Sequence, residues 1–254
     1  MPAKDHDISQ FEVKGGHHQP FRLGSTAAPY GYFLFTPESY QTSKDKLPLL
    51  IFLHGYGERG NSQEESSDLD KILKHGPPKM IENSIWAPTN KMVVASPQCH
   101  GNWWNREKLK EFIEYLVKEY NVDQKRVYLT GLSMGGYATF DLLGTFGDEL
   151  NIAAAVPICG SGELNEANNL NISKTPVWVF HGSADTTVKP EYSMKIVPAV
   201  NALAPKVPAK LTIYPGVTHN SWTMTYSGSG MGKEDSAYDA FDQNIYDWMY
   251  QFTR

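Results

Sequence analysis

The sequence predicts an α/β fold, a mostly parallel central sheet with helices on both faces and no large lid. Three observations predict it. Apolar and β-branched runs of strand length recur along the chain, helix-period segments lie between them, and glycine-containing turns follow the ends of several runs.

Taken in order, Tyr30 to Phe35 alternates aromatic and smaller residues and reads as an early strand, antiparallel to something near Phe11 to Val13. Leu47 to Leu53 is a continuous apolar run, as expected of a strand buried on both faces. Asn61 to Asn90 is the least regular stretch, polar at first and then carrying Pro77-Pro78, and is read as shaping a substrate cleft. Lys91 to Ala95 is another strand. Leu109, Phe112, Ile113, Leu116, Val117 and Tyr120 then recur at helical spacing, a stripe that belongs to core packing. Arg126 to Thr130 is a buried strand, followed by a helix through Gly136 to Leu143. Ile152 to Ile158, Val177 to Phe180 and Leu211 to Tyr214 complete the strands. Ser227 to Gly232 follows no strand and reads as a flexible connector. Ala237 to Phe252 reads as a helix with Phe241, Ile245 and Trp248 on one face.

Composition sets the outer limits. With 254 residues, 41% of them hydrophobic and 12% aromatic, the chain can bury a full core, and residues 1–254 read as one domain. About residues 1–20 form a flexible or strand-forming N-terminal segment in this reading. The balance of 23 Lys+Arg against 28 Asp+Glu, with no basic block, argues against a nucleic-acid partner. No apolar run approaches the ~18 residues that span a bilayer, so no membrane role is expected. Met1 to Asp7 is polar and lacks the apolar core of a signal peptide. Two locations stay open, the cytoplasm or an exported (secreted or periplasmic) form whose signal has been removed. Cys99 and Cys159 are compatible with one disulfide or with two separate thiols.

The chemistry is carried by Gly131-Leu132-Ser133-Met134-Gly135, which stands between a predicted strand and a predicted helix. G-x-S-x-G in that context is a nucleophile elbow. The turn is so tight that only small residues fit two positions either side of Ser133, and it sets the hydroxyl at the start of a helix, where positive partial charge favours an oxyanion. A serine nucleophile needs a base, and the base needs a group to orient it. Asp185 falls just past the Val177–Phe180 strand and His219 just past the Leu211–Tyr214 strand, in the chain order Ser, Asp, His. Each has a plainer reading, Asp185 as a turn former and His219 as a solvated loop histidine. Their conjunction with Ser133 favours a triad.

An oxyanion site needs two backbone N–H donors. Met134 supplies one. The other belongs to the loop His54-Gly55-Tyr56-Gly57-Glu58-Arg59-Gly60, where Tyr56 is the first choice and Gly57 the neighbouring one. His54 is expected to buttress this loop rather than titrate. Trp103, Trp104 and Trp222 follow strand ends and read equally as core or as the wall of an acyl or sugar pocket. His6, His17 and His18 lie in the polar N-terminal segment and carry no expected catalytic role. No ligand pattern suggests a metal, and no cofactor is called for.

These segments resemble α/β-hydrolases of the esterase group that includes polyhydroxybutyrate-depolymerase-like, feruloyl and acetylxylan esterases. They are also similar to bacterial predicted peptidases and phospholipase/carboxylesterases. The resemblance rests on Leu53 to Gly60, His75-Gly76-Pro77-Pro78-Lys79, Ser96-Pro97-Gln98, Tyr128 to Gly136, Val177 to Gly182 with Asp185, and His219-Asn220-Ser221-Trp222. It implies a serine carboxylic-ester hydrolase acting through an acyl-enzyme on short-chain or aryl esters, with acetyl or feruloyl esters of plant cell-wall polysaccharide preferred. A small-molecule or oligosaccharide ester is the expected partner. The lack of a long inserted lid argues against long-chain triglycerides. A serine peptidase on short peptides and a non-catalytic binding module on the same fold are the rival readings.

Overall fold

The computed structural model describes residues 9–42 and 44–254. His6 and the rest of residues 1–8 lie outside the described residues.

Among the described residues nine strands form one sheet: β1 (Glu12–Val13), β2 (Gly16–Phe21), β3 (Tyr32–Pro37), β4 (Leu47–Leu53), β5 (Val93–Pro97), β6 (Val122–Leu132), β7 (Ile152–Ile158), β8 (Trp178–Gly182) and β9 (Lys210–Tyr214). Their order is β1-β2-β3-β5-β4-β6-β7-β8-β9. The first three and the β3–β5 pair are antiparallel, and every pair from β5 through β9 is parallel. The helices are α1 (Gly76–Glu82), α2 (Arg106–Glu119), α3 (Met134–Phe146), α4 (Glu166–Ile172), α5 (Glu191–Asn201), α6 (Trp222–Ser227) and α7 (Ile245–Tyr250).

Period-2 alternation sends the central strands' side chains to two cores. Leu49, Ile51 and Leu53 of β4 pack with Leu109, Phe112 and Leu116 of α2 and with Phe140 and Leu143 of α3. Leu50 and Phe52 face the opposite side, with Ile81 of α1, Tyr226 of α6 and Trp248 of α7. A strand buried on both faces cannot alternate apolar with polar, which explains the unbroken run from Leu47. The helical stripe read from Leu109 onward is core packing, and Asn105 caps that helix by accepting from the Lys108 N–H at 3.0 Å.

Three expectations are corrected. The antiparallel partner of the early strand is β2, not Phe11 to Val13; β1 in turn pairs with β2. His17 and His18 made β2 look unlike a strand, yet His18 is buried there, its Nδ1 3.0 Å from Glu82 Oε2 and its ring against Phe33. The stretch Asn61 to Asn90 is largely helical: a 3₁₀ helix spans Ser66–Lys74, and α1 follows with prolines in its first turn, where their missing N–H costs nothing.

The C-terminal segment from Ala237 is not one helix. Only Ile245–Tyr250 is helical, capped by Asn244. Upstream, a turn closed by Tyr238 N–H donating to Asp235 O at 3.0 Å lies against β9: Asp239 N–H donates to Leu211 O at 2.8 Å, Leu211 N–H donates to Asp239 Oδ2 at 2.7 Å, and Asp235 N–H donates to Ile213 O at 2.8 Å. Those bonds outcompete helix formation. Phe241 and Trp248 still meet on one surface, both edge-on to Trp178. Cys99 and Cys159 are buried free thiols, which settles the question of their pairing.

Register brings the carboxyl ends of the parallel strands together. Gly131 of β6 lies opposite Leu53 of β4 and Pro157 of β7, so the chain beyond β6 emerges between the loops that follow its neighbours. A Cβ on Gly135 would lie 2.8 Å from His54 O and closer still to the Leu53 carbonyl. Backbone cannot move aside as a flexible side chain can. Gly135→Ala should therefore lower stability by about 3 kcal/mol, at the upper end of overpacking costs. A melting temperature unchanged from the parent would contradict this.

Candidate active site

Ser133 occupies the residue between β6 and α3, with φ 52° and ψ −116°. A serine in this sparsely populated region costs roughly 1–3 kcal/mol, held in place by surrounding structure. The restraints are visible. Ser133 N–H donates to Ile158 O at 3.0 Å, and its own carbonyl accepts from Tyr137 N–H at 3.0 Å as α3 begins.

Loops after β8 and β9 bring Asp185 and His219 to this turn. His219 Nε2 stands 2.9 Å from Ser133 Oγ, and His219 Nδ1 stands 2.7 Å from Asp185 Oδ2. Asp185 is buried, and its other oxygen, Oδ1, accepts from the Thr187 and Val188 N–H groups at 2.8 and 2.9 Å. With Asp185 accepting at Nδ1–H, Nε2 is left as the acceptor for the serine hydroxyl. The three residues named from the sequence form one hydrogen-bonded series.

The loop after β4 flanks them. Tyr56 opens a short 3₁₀ turn, Tyr56–Glu58, and Met134 opens α3. The first N–H groups of such turns have no acceptor within their own helix. His54 fixes the peptide joining Gly55 to Tyr56. Its Nε2 accepts from Cys99 N–H at 2.9 Å, so Nδ1 carries the proton and donates to Gly55 O at 2.6 Å. In a trans peptide the Tyr56 N–H then points the opposite way. Glu58 is buried beside this loop, its carboxyl pushed up by burial, with Oε1 3.7 Å from His75 Nε2. Arg59 lies over the Tyr56 ring at 3.2 Å and donates from Nε to Tyr56 O at 2.8 Å. Gly57 faces open space.

The tryptophans divide. Trp104 is in the core, its ring 4.7 Å from that of His54 and its Nε1–H donating to His54 O at 3.2 Å. Trp103 is 51% exposed and edge-on to Tyr137 at 5.7 Å, one turn of α3 beyond Ser133. Trp222 is nearly buried and edge-on to both His219 and His75 at 5.3 Å.

Sequence reading missed three neighbours of this site. Tyr137, four residues after Ser133 on a helix, was open to detection by spacing alone. Cys159, at φ 41° just past β7, has its sulfur within 4.8 Å of the donor atoms of Asp185 and His219. Burial pushes its thiol up to about 12. Finding it required knowing that β7 lies beside β6. The third is His181, buried near the end of β8. His-Gly recurs at His54-Gly55 and His181-Gly182, but also at His75-Gly76 and His100-Gly101, so the dipeptide alone does not single it out.

Sheet order, sharp turn and hydrogen-bonded Ser-His-Asp series together define an α/β-hydrolase. The chain belongs to the dienelactone hydrolase family, which it matches over residues 11–253. Among curated proteins it is 28% identical over 142 residues to a bifunctional acetylxylan esterase/xylanase from Neocallimastix patriciarum; the match covers 53% of this chain and 18% of that protein. Among solved structures it is similar to a thermostable esterase, at 26% identity and TM-score 0.68, over 95% of this chain and 64% of that one. It also shares the fold of a ferulic acid esterase, at 18% identity and TM-score 0.59, over 85% of this chain and 95% of that one. A feruloyl esterase module from Clostridium thermocellum complexed with sinapinate has the same fold, at 16% identity and TM-score 0.57, over 90% and 89% of the two chains.

Burial lowers the His54 imidazole from 6.5 to about 4. A depressed folded value means that the unfolded chain takes up this proton first. The neutral form therefore stabilises the fold fully above about pH 6.5, and that stability is lost as pH falls toward 4, by roughly 3 kcal/mol. His54→Gln should flatten this part of the stability–pH curve, measured by urea unfolding at pH 7, 5.5 and 4.5. An unchanged slope would remove His54 as its source.

Proposed function

We propose that the chain hydrolyses carboxylic esters through an acyl-enzyme on Ser133. The observation that carries this reading is the 2.9 Å approach of His219 Nε2 to Ser133 Oγ, with Asp185 2.7 Å behind the ring. His219 takes the hydroxyl proton as Ser133 Oγ attacks the ester carbonyl, and Asp185 holds the tautomer and stabilises the imidazolium. The N–H groups of Tyr56 and Met134 receive the oxyanion. Collapse breaks the bond to the alcohol, which leaves with the proton from His219. Water then gives a proton to His219 and attacks the acyl carbonyl, and Ser133 recovers its proton as the acid departs.

Cys159 is the other nucleophile within reach of the pair. Burial keeps its thiol protonated, since the value is pushed up to about 12, and a protonated thiol is a poor nucleophile. His219 Nε2 is bonded to the serine instead. These facts favour Ser133.

The substrate class is acyl esters of plant cell-wall polysaccharide, acetyl or feruloyl. It rests on the acetylxylan esterase and feruloyl esterase relatives and on the pair formed by exposed Trp103 and half-buried Tyr137, one helical turn from Ser133. An aromatic platform of this kind suits a planar acyl group or a sugar face.

Ser133→Ala should lower kcat on a 4-nitrophenyl acetate assay by at least about 10³-fold. Retention of most activity would exclude Ser133 as the nucleophile. Trp103→Ala should raise KM for methyl ferulate or a feruloylated oligosaccharide by roughly tenfold while leaving kcat on the small acetate within about twofold. Equal losses on both substrates would remove Trp103 from substrate binding. A panel adding acetylated xylan and a peptide amide separates esterase from peptidase: cleavage of the amide alone would overturn the esterase reading.

A further inference from the structure

The Asp185 carboxylate is held by more than His219 and the two backbone donors. His181, near the end of β8, brings its Nε2 to 3.2 Å from Asp185 Oδ2 and 2.8 Å from Val188 O. Both neighbours are acceptors, so Nε2 carries the proton; it is donated to the Val188 carbonyl, with the carboxylate oxygen close beside the same N–H edge. Nδ1 is then the acceptor for the Ser193 hydroxyl, 2.8 Å away in the first turn of α5. His181 and Ser193 have no exposed surface. Burial lowers the His181 imidazole, which stays neutral. The titratable groups near this cluster are Cys159 past β7, Tyr137 on α3 and His219 after β9, and burial pushes the thiol and the phenol upward.

Asp185 Oδ1 accepts from the Thr187 and Val188 N–H groups and Oδ2 accepts from His219, with the Nε2 edge of His181 3.2 Å from that oxygen. The backbone of Val188 is tied on both sides, by its N–H to Asp185 and by its C=O to His181. The loop after β8 therefore closes on itself through one imidazole.

We infer that His181 is a positioning residue for the proposed reaction: its Nε2–H holds the Val188 carbonyl, so that the Val188 N–H stays on Asp185 Oδ1, and the same ring edge lies 3.2 Å from Asp185 Oδ2 and offsets the carboxylate's charge, while Ser193 fixes the ring. The inference rests on the reading of Ser133, His219 and Asp185 as the reacting series. It separates His181 from ordinary core packing, because a leucine fills similar space without donating a proton.

The test compares His181→Leu, His181→Gln and Ser193→Ala in kcat, KM and the pH profile of kcat/KM on 4-nitrophenyl acetate. His181→Leu should lose roughly 10–100-fold in kcat, the range for partners that orient a reacting group, with KM within about twofold. With the Nε2–H edge gone from beside Oδ2 the carboxylate's charge is less offset, so the acid limb of the profile should move to higher pH by about 0.5 unit or more. His181→Gln keeps an N–H near Nε2 and should recover most of the loss. Ser193→Ala should lose about threefold, with a smaller move in the same direction, and it decides the matter if the leucine variant does not fold. An unmoved acid limb, or a glutamine variant as impaired as the leucine one, would overturn the inference. Fluorophosphonate labelling of the parent distinguishes the two levels. Without a Ser133 adduct the reacting series itself fails; with an adduct and an unaffected His181→Leu, only the role of His181 fails.

Discussion

The site depends on the distance at which two backbones pass. Gly135, in the first turn of α3, lies so close to the carbonyl groups at the end of β4 that no side chain fits between them. This contact lets α3 start directly above the sheet and forces Ser133 into its positive φ. It also sets the first N–H of α3 beside the loop that follows β4. One approach therefore fixes Ser133 and the first N–H of α3 together, and the local strain at Ser133 is borne by the packing of strands whose side chains are almost wholly buried.

Two buried imidazoles repeat one device. His54 stands just past β4 and His181 near the end of β8; each is followed by glycine, kept neutral by burial and bonded to a peptide carbonyl. Histidine suits these places because it can donate from one nitrogen and accept at the other without carrying charge. One of them orients the Gly55–Tyr56 peptide. The other faces the Asp185 carboxylate. Parts of the site that arrive from distant stretches of chain are thereby fixed by local, uncharged bonds.

What the sequence disclosed and what it concealed follow from how far each interaction reaches. Leu47 to Leu53 and Ile152 to Ile158 were legible to the residue, because full burial demands unbroken apolar runs. Ser133, Asp185 and His219 were legible because each follows such a run in a fixed order. β2 was hidden by His17 and His18, whose burial depends on Glu82 and Phe33. The helical pattern after Ala237 misled because Asp239 finds better partners in β9 than in its own helix. Trp103 and Trp104 look identical in sequence, yet one packs on His54 and the other stands in solvent beside Tyr137. Tertiary partners decided each of these cases.

The turn from Asp235 to Asp239 against β9 bears on how the molecule meets its surroundings. β9 is the last strand of a long, largely apolar sheet, and such a border ordinarily offers a template on which foreign strands can add. Here the outward Leu211 N–H and C=O and the Ile213 C=O already have partners, one of them a carboxylate that carries negative charge to the rim. An approaching strand would have to displace these bonds and face that charge. The same residues that broke the predicted helix thus act as a selvedge, finishing the sheet so that it cannot be extended from that side.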